Sequence, residues 1–212
     1  MASVLLDVVD LACRRGGRPV LGGLSFALGP GELLALTGRN GSGKTTLLRA
    51  LALLAPPHAG TIRWLGANVR ADPDAWRGRL AWLGHLDGLK GDLSVRENLS
   101  VAQRLRGGRA SGERLDGVLA AFDLAGLAGR AVRTLSAGQR RRTALARVAL
   151  SGAPLWLLDE PLNALDGPAQ DALRAVIGAH LADGGLAIVA THADLAMPGG
   201  RTLQLTPRIA PA

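Results

Sequence analysis

The stretch that decides the fold is Gly38-Arg39-Asn40-Gly41-Ser42-Gly43-Lys44-Thr45-Thr46, which directly follows the apolar run Leu33–Leu36. It fits the G-x-x-x-x-G-K-[ST] pattern of a phosphate-binding loop that is entered from a strand and left into a helix. Its glycines allow a tight turn that brings backbone N–H groups close to an anion, and the positive end of the following helix reinforces them. Lys44 offers a charge for the β- and γ-phosphates, and Thr45 offers a hydroxyl to Mg²⁺. We therefore expect residues 38–46 to bind a nucleotide.

The composition fits one large globular domain spanning residues 1–212. Apolar residues make up 48% of the chain, and the single cysteine, Cys13, excludes a disulfide framework and fits a reducing compartment. We find no pattern of a secretory signal and no apolar run of the length that a membrane-spanning helix needs. We expect a domain that does not itself cross the bilayer.

The positive charge is unevenly distributed along the chain. The formal net charge is +8, and the segment from Arg104 to Arg147 contains ten arginines but only three acidic residues. Such a segment could face anionic lipid or nucleic acid, or dock a membrane subunit. Alternatively, the chain simply uses arginine in place of lysine on its solvated faces, because it has only two lysines against 23 arginines. Both interpretations remain open at the level of sequence.

Strands and helices are predicted to alternate along most of the chain. Several predicted strands are apolar on both faces, which is typical of a parallel sheet covered by helices. We predict strands over 4–11, 20–28, 33–37, 61–65, 80–83, 155–158 and 186–190, and helices over 45–54, 95–123 (interrupted at Gly107-Gly108), 136–150 and 168–181. This indicates an α/β core, residues 1–89 and 151–212, with a helical subdomain inserted at about 90–150.

Two adjacent carboxylates, Asp159 and Glu160, follow the apolar strand at 155–158. Asp159 can serve Mg²⁺. Glu160, the next side chain along a strand, is expected to point to the other side and to polarise an attacking water. A solvated strand end would also explain the pair, but its combination with the loop at 38–46 favours the catalytic interpretation.

Two further features resemble ligand contacts. Ser136, Gly138 and Gln139 open a helix, which could form a second anion site, although an ordinary N-cap would also explain Ser136. His192 follows the apolar strand at 186–190, at the sheet edge where ligands bind in open α/β folds. It could contact a γ-phosphate, whereas a lone histidine at a strand end is more often a surface residue.

The order of these motifs resembles the nucleotide-binding subunit of an ATP-binding-cassette (ABC) transporter. The loop at 38–46 is followed by Leu135–Gln139, by Asp159-Glu160, by Asn163–Asp166 and by His192, so the resemblance covers nearly the whole chain. It implies the ABC ATPase fold: a P-loop NTPase core with a mostly parallel sheet, an N-terminal antiparallel β part and an inserted helical subdomain.

The resemblance also implies how the residues act. Two copies would pair head to tail, so that Ser136 and Gly138 of one copy cover the MgATP held at Lys44 of the other. Glu160 would activate water, His192 would sense the γ-phosphate, and Asp166 would communicate across the dimer. The implied partners are integral membrane subunits, not nucleic acid, and the implied location is peripheral, at the cytoplasmic face of a bacterial inner membrane.

Three positions depart from the common pattern of this family. Arg15 stands where an aromatic residue usually stacks on adenine, and an arginine plane can also stack on a base. No glutamine follows the strand that ends near Gly84, where the sequence continues with His85. Ala137 replaces a glycine in the signature. These departures, the Trp82–His85 segment and the short length are similar to one subfamily, the haem exporter ATPases of bacterial cytochrome c maturation.

Two other functions carry the same catalytic motifs. An ABC ATPase could serve an exporter of another substrate, because cargo is read by the membrane subunit. ABC ATPases that act on nucleic acid usually have long coiled coils between the phosphate loop and the signature, and this chain has no heptad repeat there. We therefore expect an ATPase that acts in haem handling for c-type cytochromes, with another exporter as the alternative.

Overall fold

The computed structural model describes residues 4–108, 111–193 and 195–206. Within these residues, nine strands form two sheets, and six α-helices pack on them. In chain order the elements are β1 (Leu6–Arg15), β2 (Arg18–Leu28), β3 (Leu33–Thr37), α1 (Lys44–Leu51), β4 (Ala59–Trp64), β5 (Ala67–Asn68), α2 (Pro73–Gly78), β6 (Leu80–Leu83), α3 (Val95–Leu105), α4 (Gly112–Ala121), α5 (Ala137–Leu150), β7 (Leu155–Asp159), α6 (Gly167–Ala182), β8 (Leu186–Ala190) and β9 (Arg201–Gln204).

The first sheet is antiparallel and has the strand order β2-β1-β4-β5. Its long hairpin, β1–β2, turns at Gly16 and Gly17, whose φ angles of 55° and 77° suit a tight two-residue turn. The predicted antiparallel N-terminal part is confirmed.

The second sheet has the strand order β6-β7-β8-β3-β9, and each neighbouring pair is parallel. Every residue of β7 and β8 is buried, as expected for central strands covered on both faces. The predicted parallel sheet is therefore confirmed, together with the α/β class.

Alternation along β7 separates two cores. Leu155 and Leu157 pack with α1 and the antiparallel sheet, whereas Trp156 and Leu158 pack with the helices on the opposite face. Because side chains alternate along a strand, Asp159 continues the series that faces α1. The carboxyl end of β7 is thus directed to the helix that follows the phosphate-binding loop.

Helices α3, α4 and α5 occupy the segment predicted to be helical. Capping boxes open α3 at Ser94 and α5 at Ser136, and Gly107 lies in the break between α3 and α4 with a φ of 75°. Their apolar sides share a core with Trp156 and Leu158. In the described part of the chain, no helix is long and apolar enough to cross a membrane.

Three elements were not predicted, and one of them, β5, has only two residues. Helix α2 is short, but the indole N–H of its Trp76 donates to the carbonyl oxygen of Leu51 at 2.8 Å and fixes it to the end of α1. Strand β9 pairs with β3 at the sheet edge, and three of its four residues are exposed. An exposed edge strand has no apolar pattern that could reveal it in the sequence.

Candidate functional site

The phosphate-binding loop and the ends of β7 and β8 border an open cleft of about 700 Å³ at the carboxyl edge of the parallel sheet. Ligands of open α/β sheets bind at this edge. The residues that line the cleft are Asn40, Gly41, Ser42, Gly43, Lys44, Thr45, Thr46, Arg15, Arg18, Val20, His85, Asp159, Glu160, Asn163 and His192.

Two glycines give the loop its shape. Gly38 has a φ of 136°, and a Cβ there would lie 2.3 Å from the carbonyl oxygen of Leu205. Gly43, with a φ of 102°, is the N-cap of α1, and a Cβ there would lie 2.7 Å from Leu21. No side chain caps α1, so the loop leaves its backbone N–H groups available at the cleft.

Lys44 and Ser42 make the loop a site for an anion. Lys44 is only 7% exposed, and its Nζ donates to the carbonyl oxygen of Gly38 at 2.9 Å. Ser42 is 1% exposed, and its Oγ has no hydrogen-bond partner. An unpartnered buried hydroxyl costs about 1–3 kcal/mol, so a phosphate oxygen that accepts its hydrogen bond would remove that cost. Arg39 is exposed, and its carbonyl oxygen accepts the Ser42 N–H at 3.1 Å.

Thr45 and Asp159 lie together. The Thr45 hydroxyl contacts both carboxylate oxygens of Asp159, at 2.9 Å and 3.2 Å, and Asp159 is buried. A hydroxyl and a carboxylate are oxygen donors of the kind that Mg²⁺ prefers. Their proximity to Lys44 suits a magnesium ion bound beside a phosphate.

Glu160, His192 and Lys44 form a second polar cluster. The Nε2 of His192 lies 3.1 Å from a carboxylate oxygen of Glu160 and 3.4 Å from Nζ of Lys44. A neutral ring nitrogen either donates or accepts. The shorter contact with a carboxylate, which can only accept, favours a proton on Nε2. His192 is therefore held as a donor at the mouth of the cleft.

The backbone of Glu160 explains why two successive carboxylates line one cleft. The sequence pattern predicted that Glu160 would point to the opposite side of the strand from Asp159. Instead, Glu160 has a φ of 49°, and its N–H donates to the carbonyl oxygen of Ala190 at 2.8 Å. Strand alternation ends at Asp159, and the left-handed residue returns its side chain to the cleft, where it meets His192. The two carboxylates thus have different neighbours, Thr45 for Asp159 and His192 for Glu160, and their predicted roles toward Mg²⁺ and water stay predictions.

The β1–β2 hairpin lines the cleft with Arg15 and Arg18. Arg15 therefore lies at the cleft, and its stacking on a base stays a prediction. The sequence analysis did not select four lining residues as binding residues, although it named Asn163 in a motif: Arg18, Val20, His85 and Asn163. The sequence does contain a signal for Arg18. Arg18 and Arg15 flank the Gly16-Gly17 turn, and they are partners in the hairpin.

The N-terminus of α5 lies elsewhere. Ser136 is exposed, its Oγ accepts the Gln139 N–H at 3.2 Å, and its own N–H donates to Gln139 Oε1 at 2.9 Å. Among the described residues, the lining of the cleft includes neither Ser136, Gly138 nor Gln139. The ordinary capping interpretation of Ser136 thus holds within one chain, and the structure does not bring this segment to the phosphate-binding loop.

Gly138 and Asp166 both belong to the contact between α5 and the loop that precedes α6. A Cβ at Gly138 would lie 2.8 Å from the carbonyl oxygen of Ala164, so glycine permits this close approach. Asp166 is the N-cap of α6, and its carboxylate accepts the Ala169 N–H at 3.1 Å.

Part of the arginine-rich segment bonds within the chain, although Arg106 and Arg133 remain exposed. Six of its arginines form hydrogen bonds or ion pairs within the chain, namely Arg106, Arg133, Arg140, Arg141, Arg142 and Arg147. The acceptors are often main-chain carbonyl oxygens, as with Arg106 and Gly78. Much of this charge therefore has a role in packing, which neither the lipid-facing nor the solvated-face interpretation had anticipated.

Comparison with known sequences identifies the family of this chain. The family model described as ABC transporter matches residues 21–163. The chain is 50% identical over 196 residues to the cytochrome c biogenesis ATP-binding export protein CcmA of Rhodospirillum rubrum, covering 92% of this chain and 83% of that protein. It is 46% identical over 200 residues to the corresponding CcmA 2 of Cupriavidus metallidurans, covering 94% of each.

A solved structure supports the fold independently. An ATP-binding cassette protein, solved as a dimer in a post-hydrolysis state bound to ADP and Pi, superposes with a TM-score of 0.84 at 23% identity. The match covers 95% of this chain and 94% of that one. At this level of identity it supports the fold, and the two CcmA proteins carry the closer relationship.

Proposed function

The chain belongs to the ABC transporter family and is an ATPase, and we propose that its ATP hydrolysis drives haem handling or export for the biogenesis of c-type cytochromes. The observation that carries the catalytic part is the meeting of Lys44, Thr45, Asp159, Glu160 and His192 in one cleft. The sequence identity of 50% and 46% to two cytochrome c biogenesis export proteins supports the proposed role in cytochrome biogenesis.

Residues 38–46 bind the phosphates of ATP. The N–H groups at the start of α1 and the Lys44 ammonium neutralise phosphate charge, and the Ser42 hydroxyl donates the hydrogen bond it lacks in the free chain. Arg15 offers a guanidinium plane to the base.

Thr45 and Asp159 would hold Mg²⁺, because their side-chain oxygens already lie within hydrogen-bond distance of each other. A bound Mg²⁺ would neutralise charge that develops on the phosphates. For this, the Thr45 hydroxyl would turn its proton away from Asp159 and present a lone pair to the ion.

Glu160 takes up the proton of the attacking water, and His192 contributes a hydrogen bond. A water attacks the γ-phosphorus and gives a proton to the Glu160 carboxylate, while the bond from the γ-phosphorus to the bridging oxygen breaks and ADP leaves. In the free chain the Nε2–H of His192 holds Glu160 at 3.1 Å; once a nucleotide separates His192 from Lys44, the same N–H donates to the γ-phosphate instead.

A second copy completes the site. Ser136, Gly138 and Gln139 are too far along the fold to line their own cleft, and Ser136 is exposed to a partner. In the head-to-tail dimer they cover the phosphates held by the other copy, and the loop that contains Asp166 lies between the two sites. A protein of the same fold was solved as a dimer bound to ADP and Pi, which is in line with pairing of two copies.

The remaining parts of the assembly follow from the family. We assign residues 1–89 and 151–212 to the nucleotide-binding core and about 90–150 to a helical subdomain that docks integral membrane subunits of the cytochrome c maturation type. The protein then lies peripherally on the cytoplasmic face of the inner membrane.

The test is genetic. Deleting the gene that encodes this chain should leave c-type cytochrome polypeptides present but without covalent haem, while b-type cytochromes persist. Complementation by the wild-type chain should restore haem staining, and complementation by Lys44→Ala or Glu160→Gln should not. Normal haem-stained c-type cytochromes in the deletion strain would contradict the role in cytochrome biogenesis and leave the ATPase assignment standing.

A further inference from the structure

Arg141, on the second turn of α5, is the most extensively bonded charged residue near the cleft. It is 5% exposed. One terminal nitrogen donates to the carbonyl oxygens of Asp159 at 2.8 Å and Glu160 at 2.7 Å. The other donates to the carbonyl oxygen of Gly84 at 3.1 Å and to the Asp87 carboxylate at 3.2 Å. One guanidinium thus joins α5, the end of β7 and the loop that follows β6.

The contact with Glu160 holds a strained residue. A non-glycine residue at a φ of 49° persists only when its surroundings fix it. Here the Glu160 N–H donates to Ala190 and its carbonyl oxygen accepts from Arg141, so both sides of the residue are fixed. This conformation places the Glu160 side chain beside His192.

The loop at 84–88 is fixed to the same helix twice. Arg141 holds Gly84 and Asp87, and a guanidinium nitrogen of Arg147 donates to the carbonyl oxygen of Gly88. The loop carries His85 into the lining of the nucleotide cleft. It lacks the glutamine usual in related ATPases, yet it is connected to the catalytic strand through Arg141.

We propose that Arg141 is a positioning residue that holds Glu160 in its active conformation and makes the loop at 84–88 move together with α5 and the end of β7. This inference rests on the proposed function. Arginine suits the task because its planar fork can serve four acceptors in two directions, whereas lysine has a single nitrogen on a flexible stem.

The first measurement separates catalysis from binding in the full chain. Arg141→Gln should lower kcat by about 10- to 100-fold, since a small displacement of a catalytic group has effects of this size. Its affinity for MgATP should stay within about threefold, because no contact of Arg141 involves the loop at 38–46. The kcat of Arg141→Lys should lie between those of the wild-type chain and Arg141→Gln.

Arg142→Gln is the matched control. Arg142 is the next residue of α5 and also bonds within the chain, but to Phe122 and Asp123 at the end of α4. It should lower thermal stability without separating kcat from binding. If Arg142→Gln lowers kcat as much as Arg141→Gln does, the effect is general destabilisation and the proposal is wrong.

The second measurement is amide hydrogen exchange, which needs no turnover. Arg141→Gln should accelerate exchange of the Glu160 amide in the free chain. Asp87→Ala, which leaves the three carbonyl contacts of Arg141 in place, should instead reduce the ATP-induced change in exchange at residues 84–88. The latter comparison is made in the Glu160→Gln background, so that bound ATP persists. It still tests the coupling of the loop if Arg141→Gln fails to fold.

The outcomes distinguish this proposal from the proposed function. A parent chain that binds and hydrolyses ATP, with Arg141→Gln equal to it in kcat and in Glu160 exchange, overturns the positioning role alone. Unchanged ATP-induced exchange at 84–88 in Asp87→Ala overturns the coupling of the loop. A parent chain without ATP hydrolysis overturns the proposed function, whatever the exchange measurements give.

Discussion

Two helix N-termini of this molecule look alike in sequence and differ in what they leave unsatisfied. At α1 the cap is Gly43, no side chain bonds the first turn, and the neighbouring Ser42 hydroxyl is buried without a partner. At α5, Ser136 and Gln139 bond each other's backbone in a complete capping box on the surface. The first end has groups free to bind a ligand, whereas the second is satisfied by its own side chains and accessible from outside.

The difference indicates how one site can be divided between two copies. A buried end with unpaired groups binds its anion within the chain, because leaving those groups unpaired is costly. An exposed, capped end costs nothing in the monomer and can exchange its internal hydrogen bonds for a partner's ligand. The predictions below test this distinction.

The largest expected effect is on turnover at the buried site. Glu160→Gln keeps the size of the side chain and removes its basicity, so kcat should fall by about 10²–10⁴-fold while ATP stays bound. Steady-state phosphate release and nucleotide titration measure the two quantities. Size-exclusion chromatography with MgATP should show a more persistent dimer. Hydrolysis at the wild-type rate would exclude Glu160 as the base.

Removing the buried charge should weaken binding next. Lys44→Ala deletes the ammonium beside the phosphates, and the loss of about 3 kcal/mol corresponds to more than about a hundredfold in Kd. Lys90→Ala is the matched control, because Lys90 is the only other lysine and is exposed. Equilibrium titration with MgATP should give nearly wild-type affinity for the control, and equal affinity in Lys44→Ala would refute the loop assignment.

Mixing two inactive chains tests the exposed end. Ser136→Arg blocks the capped end and Lys44→Ala blocks the buried one, so each homodimer should be inactive. A mixed dimer would keep one intact composite site, and an equal mixture should therefore regain about a quarter of the wild-type activity. ATPase assays on the mixture and on each variant alone make the comparison. No recovery on mixing would place both ends of the site in one chain.

The smallest effect is expected at the opposite edge of the parallel sheet, far from both helix ends. Burial lowers the pKa of His180 from its ordinary value near 6.5, while its hydrogen bond with Leu186 acts in the other direction. The folded state therefore disfavours the proton more than the unfolded state does. Its stabilising effect is present above pH 6.5 and is lost as the pH falls through that value.

Urea unfolding at several pH values measures this effect. His180→Phe keeps a ring against Trp156, on which His180 stacks at 3.9 Å, but cannot take up a proton. The variant should show a shallower loss of unfolding free energy between about pH 7 and 5. Parallel curves for the two chains would contradict the assignment, and nucleotide affinity at pH 7.5 should not differ.

The same reasoning explains which parts of the fold the sequence could predict. Strand β7 and strand β8 were predicted because short apolar runs bounded by polar residues are typical of buried parallel strands. Strand β9 was not, because its pairing with β3 depends on backbone hydrogen bonds at an edge where most side chains are exposed. Hydrophobic periodicity contains no information about such an edge.

The sequence by itself determined the phosphate-binding loop, the Asp159-Glu160 pair and the capped start of α5, because each consists of a few neighbouring residues whose chemistry is local. Tertiary structure alone decided that Glu160 turns into the cleft through a left-handed backbone, and that Arg141 of α5 bonds its carbonyl oxygen. Those two facts depend on hydrogen bonds between main-chain atoms and residues distant in the sequence. Every residue type except proline has the same main-chain N–H and C=O groups, so the identity of the residues cannot reveal which of them will meet.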